Sequence, residues 1–337
     1  MRLLLFTILL LASMSVHAQR LTRQQTEEKL YEYLKEHSPN SYEMMQMLKD
    51  TPNKYSFGSM KITLSPEQSA LTWVSERTEK GIIESINTVV HECMHGFTSR
   101  YPLVMLESAD YQDYEAGDEY SAFYINKYEI YLVEHTPVFS SNRLKKHINK
   151  SLQTFRYNPY IAPKDNNLGS QIQGIYGLMD EWNAYYHGTK AAYDLFDYYK
   201  SRATQNKKVY LDHVRNLAGT YFAYYEFKYY ILKYLWLAKS NYTEVYKGIL
   251  NNNTLRQAYT AIDENFSGLI SKFEERLDTI EDLVTSDNFT SVFREDGFYF
   301  IGNSGVGLFA KETELLKKEL SKELFKSLHE ELKIKHP

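Results

Sequence analysis

The chain has 337 residues, with 39 Lys and Arg against 43 Asp and Glu, a formal net charge of −4 and one cysteine. No basic run stands out, so nucleic-acid binding has no electrostatic support, and a single cysteine excludes an intrachain disulfide. After the first dozen residues no apolar run reaches the roughly 18 residues that a membrane span needs.

The chain opens Met1-Arg2, then runs Leu3-Leu4-Leu5-Phe6-Thr7-Ile8-Leu9-Leu10-Leu11-Ala12, with a small residue at Ala18 before Gln19. One positive charge, a short apolar run and a small residue predict a cleavable signal peptide over 1–18. A secreted or periplasmic location follows as an expectation. No cysteine follows the small residues, so no lipid anchor is expected.

Residues 19–52 read as one or two surface helices, ended near Pro52. Tyr55 to Leu64 partly alternates and lies between prolines, which predicts a strand. Ser65-Pro66-Glu67-Gln68 has the form of a helix start, with Pro at the first helical position.

The most informative stretch is His91-Glu92-Cys93-Met94-His95, the pattern H-E-x-x-H. Residues four apart share one helix face, so His91 and His95 can point at one metal ion. Glu92 lies about 100° further round the helix, where a carboxylate suits a base better than a ligand. Ile82, Ile83, Ile86, Val89, Val90, Cys93 and Met94 recur at helical spacing and form an apolar face. Asn87, His91 and His95 fall on a separate polar stripe. Cys93 is expected to be a small buried residue, and the helix is expected to weaken at Gly96 and Thr98-Ser99-Arg100.

Residues 101–119 are acidic, and 120–139 predict strands, including YEIYLV at 128–133 and closing at Pro137. Residues 156–173 read as loop. Leu178, Met179, Trp182 and Tyr186 then mark a helix that also carries Asp180, Glu181 and His187. Acids on an apolar helix are costly unless they are paired or bind metal.

From 207 to 283 the chain reads as long helices, broken at Asn251-Asn252-Asn253. FYFIGNSGVGLF (298–309) predicts a hairpin, and leucines four apart from Leu316 to Leu332 predict a terminal amphipathic helix. The 30 tyrosines and 17 phenylalanines are read chiefly as packing area.

A catalytic zinc site typically has three protein ligands and an open position. With no further histidine near the motif, an acid is the better third ligand. Glu181 is favoured because its apolar surroundings demand a reason for it. Glu119 and Asp180 stay open as alternatives.

H-E-x-x-H followed by a Glu on a later helix resembles the zincin metallopeptidases, in particular the Glu-ligand (gluzincin, thermolysin-like) branch. The resemblance covers about residues 80–190. It implies an α+β fold: a mostly helical zincin-like body over 19–200 with a small sheet, and a helical C-terminal lobe over 201–337. It implies Zn²⁺ held by His91, His95 and Glu181, and a peptide or protein substrate cut by water with Glu92 as general base. It implies oxyanion donors nearby, with Tyr185, Tyr186 and His187 as the neighbouring candidates and Tyr185 and His187 favoured. In this branch a polar residue one turn after the Glu ligand orients a zinc-bound histidine, and Tyr185 stands there instead of an acid. The competing expectation is an exported binding or structural protein on the same scaffold without hydrolase activity.

Overall fold

The computed structural model describes residues 20–115, 117–286 and 290–334. The expected signal peptide lies outside the described residues. Two helices, α1 (Arg23–His37) and α2 (Pro39–Lys49), precede an antiparallel hairpin of β1 (Lys54–Phe57) and β2 (Met60–Thr63). A single strand was expected over 55–64. The turn at Gly58, with φ at +55°, folds that segment back on itself, so Tyr55 faces Ile62.

The helix expected at Ser65-Pro66 does not form. Only a 3-10 turn at Ala70–Trp73 appears there, and the next helix, α3 (Glu79–Ser108), begins later. Its N-cap is Thr78, whose hydroxyl accepts from the Gly81 amide at 3.0 Å. The stretch before it is held from below instead. Arg100 donates to the Ser65 carbonyl at 2.9 Å and pairs with Glu67 at 3.1 Å.

α3 runs through Gly96 and even Pro102, against the expectation that it weakens at Gly96. Phe97, Thr98, Pro102, Leu103 and Leu106 are all buried along the extra turns. Their burial offsets the poor local propensity, since burying one such apolar side chain is worth about 1.5–3 kcal/mol.

A second antiparallel hairpin, β3 (Tyr120–Asn126) with β4 (Glu129–Glu134), follows as expected. Short turns α4 (Tyr157–Tyr160) and α5 (Gly169–Ile172) interrupt the expected loop and lead to α6 (Ile175–Asp194) and α7 (Phe196–Arg202). The helical half comprises α8 (Val209–Ala218), α9 (Ala223–Asn241), α10 (Thr243–Asn251) and α11 (Asn253–Thr285). The break expected at Asn251–Asn253 is there, and the Asn252 side chain caps α11 by accepting from the Leu255 amide at 3.0 Å.

Three antiparallel strands, β5 (Val292–Glu295), β6 (Phe298–Ile301) and β7 (Ser304–Gly307), enlarge the expected hairpin. The leucine-patterned end is two helices, α12 (Ala310–Leu320) and α13 (Glu323–Leu332), parted at Ser321-Lys322. The architecture is thus mostly helical with small antiparallel sheets. No helix among the described residues is long and apolar enough to cross a membrane.

The largest core cluster draws on both halves of the chain, from Phe123 on β3 to Leu332 on α13, with Trp182 of α6 fully buried in it. A second cluster packs α1 and α2 on the apolar face of α3. A third, smaller one lies beneath the β1–β2 hairpin. Many of the tyrosines serve as core, among them Tyr176, Tyr230, Tyr234 and Tyr259, all without exposed surface. α3 therefore turns one face to α2 and its polar stripe to α6, and the candidate site lies on that seam.

Candidate metal centre

His91 and His95 stand one turn apart on α3, with their Nε2 atoms 3.1 Å apart. Glu181 comes from the facing turn of α6. Its Oε2 lies 3.7 Å from His91 Nε2 and 3.6 Å from His95 Nε2. These three residues form a group able to hold a metal ion. The three donor atoms thus stand 3.1, 3.6 and 3.7 Å from one another, a spacing that one ion could bridge.

The electrostatics of the group favour a cation. Glu181 Oε2 is buried and has no hydrogen-bond partner. Burial pushes the Glu181 carboxyl up to about 7, against the pull of His95. Burial, the charge at His95 and that of Arg156 hold His91 well below its ordinary value, so its ring is neutral. Burial would also lower His95, but Asp180 and Glu181 beside it carry it up to about 10. A divalent ion bound here would displace the His95 proton and partner the buried Glu181 oxygen, with His91 already neutral.

Each histidine has a second partner on α6. Asp180 Oδ2 accepts from His95 Nδ1 at 2.7 Å, and His91 is hydrogen-bonded to the backbone at Ala184. Such outer contacts fix the ring orientation and turn both Nε2 atoms toward Glu181. Of the two adjacent acids, Glu181 faces both Nε2 atoms through Oε2, and Asp180 meets His95 on its other ring nitrogen. Replacing Asp180 with Ala is expected to weaken metal binding about 10–100-fold without unfolding the chain. Competition with a metal-binding dye checks this, and unchanged affinity would remove Asp180 from the site.

What brings the helices together is Gly188. A Cβ placed there would lie 2.7 Å from both the carbonyl oxygen and Oδ1 of Asn87 and 3.2 Å from His91 Cβ. Asn87, on the same stripe as the histidines, donates through Nδ2 to the Asn216 carbonyl at 2.9 Å and to Thr220 at 3.0 Å. Sequence reading assigned Gly188 no part. A glycine on an otherwise packed helix is the signal that marks such a close approach.

The other candidates fall in different places. Glu92 is partly exposed, and burial with the nearby Asp180 charge raises its carboxyl although His95 lowers it. Tyr185 sets its ring against His91, with centroids 4.4 Å apart, and its hydroxyl lies 3.0 Å from that of Tyr160. Glu119 is not brought to the cluster. Its side chain is 61% exposed and contacts His135 Nδ1 at 3.2 Å. Cys93 is buried as expected, and burial pushes its thiol up to about 12.

His187, expected as a candidate oxyanion donor, points elsewhere. It is fully buried on the far side of α6 and donates through Nε2 to the Tyr124 carbonyl at 2.8 Å. Burial lowers it to about 4, and it lowers the fully buried His213, whose ring nitrogens lack partners, to about 3. Both rings are thus neutral in the native state, whereas the unfolded chain protonates them below about 6.5. The unfolded state then binds more protons, so stability falls as pH drops from about 6.5 toward 4 and 3. The expected loss is about 2 kcal/mol per histidine by pH 5. Urea unfolding at pH 7.5 and 5.0 measures it, and His213→Met should remove about 2 kcal/mol of the loss.

No family model, no curated protein and no solved structure matches this chain.

Proposed function

We propose that this protein is a zinc-dependent metallopeptidase of zincin-like build, with His91, His95 and Glu181 as metal ligands and Glu92 as general base. The observation that carries the reading is the meeting of three donor atoms from two helices around one point, one of them the buried, unpartnered Oε2 of Glu181. The mostly helical body with a small hairpin against the motif helix supports the zincin-like build, and the N-terminal leader pattern supports export.

When bound, zinc supplies Lewis acidity and lowers the pKa of a water in its open position. Glu92, next to His91 and partly open to solvent, accepts a proton from the attacking water. It returns that proton to the amine as the C–N bond of the peptide breaks. Tyr185 steadies the His91 ring by edge contact, and Asp180 steadies His95.

The test is metal content and hydrolysis on one preparation. About one zinc per chain is expected, with cleavage of a quenched fluorescent peptide library that stops on chelation and returns with zinc. Zinc retained without any cleavage would favour a binding protein, and absence of bound metal would sink the reading.

A further inference from the structure

We propose that a cleft beside the metal cluster selects substrates by a lysine or arginine side chain, an inference that rests on the peptidase reading. The cleft has a volume of about 280 Å³ and lies between β2, the second half of α3 and the start of β3. That is small for a whole ligand, for which about 300–1,000 Å³ is typical, and suits one side chain.

Asp180 joins the cleft to the cluster. Its Oδ2 holds His95, while its buried Oδ1 has no hydrogen-bond partner, and the residue lines the cleft. Thr98, only 3% exposed, also lines the cleft with an unpartnered hydroxyl. Two orphaned oxygens in one cleft call for a donor from outside the chain.

The rest of the lining says what kind of donor. Leu64, Leu103 and Tyr120 give apolar walls continuous with the small core cluster under the hairpin. Asp118 and Glu119 add two more carboxylates, and no Lys, Arg or His is among the described residues lining the cleft. Glu119 meets His135 at 3.2 Å, and burial lowers the His135 pKa, so that ring brings no full positive charge to this edge of the cleft. Apolar walls with three acids match the aliphatic stem and cationic head of lysine or arginine, and they disfavour an acidic side chain.

The test compares peptides that differ only by lysine, arginine, norleucine or glutamate at one position. Binding is read by fluorescence anisotropy on Glu92→Gln protein, and cleavage on the wild type. The cationic peptides should bind about tenfold or more tightly than the norleucine peptide, a ratio that falls toward one in Asp118→Asn/Glu119→Gln. Equal binding of all four, or a preference that survives the double substitution, overturns the cleft assignment. A cationic preference in binding with no cleavage of any peptide supports the cleft and overturns the peptidase reading.

Discussion

Glu92→Gln is expected to leave a folded, zinc-binding protein whose peptide hydrolysis is slowed about 10²–10⁴-fold. The substitution keeps the shape and hydrogen-bonding length of the side chain but removes the ability to take up a proton. Glu92 is partly exposed and stands off the apolar face of α3, so packing is untouched. His91, His95 and Glu181 keep their positions, so metal content should not change. The loss should appear in kcat with KM nearly constant, because proton transfer belongs to the transition state. A variant that keeps activity within about tenfold of wild type would mean another group carries the proton.

The second large effect lies behind the site. Glu226 on α9 is fully buried and so is Arg156, and the two meet at 2.6 Å. Glu226 also accepts from the Arg156 backbone amide at 2.9 Å and from the Thr154 hydroxyl at 2.5 Å, while Arg156 reaches the Gly219 carbonyl at 2.7 Å. Glu226→Ala leaves a guanidinium without its counter-charge in the core and is expected to cost about 3–5 kcal/mol. The guanidinium lies 4.1 Å from the Tyr185 ring, which in turn packs on His91, so metal affinity should fall as well. Chemical denaturation of the single variant and of Arg156→Met/Glu226→Leu separates the causes. The double variant should recover most of the loss, since an apolar pair leaves no stranded charge. Equal destabilisation of both would show that packing volume, not charge, sets the effect.

The sequence carried the site's two ends better than its middle. The histidine stripe was legible because polar residues four apart interrupt an apolar helix. Glu181 was legible because a carboxylate among Leu178, Met179 and Trp182 has few other reasons to exist. Asp180 stood open as an alternative to Glu181 because spacing alone does not say which of two adjacent acids faces the paired Nε2 atoms and which faces Nδ1 of His95. That depends on the rotation of α6 against α3, a tertiary quantity. The persistence of α3 past Gly96 was hidden for a similar reason, since Leu103 and Leu106 find their partners on the β1–β2 hairpin. Arg156 and Glu226 could not be paired from spacing at all, because they lie on separate elements far apart in sequence. Local patterns name the side chains. Partners come from packing.

The contact of Gly188 with Asn87 also bears on when the site comes into being. The two residues are about a hundred positions apart, so the helices meet only after a long loop has closed, which is slow relative to local helix formation. Until then the emerging chain offers only the His91–His95 pair, a two-point site without its carboxylate. On the proposed metal reading, tight capture of an ion would wait for α6 to dock, because before then only two of the three donors are in place.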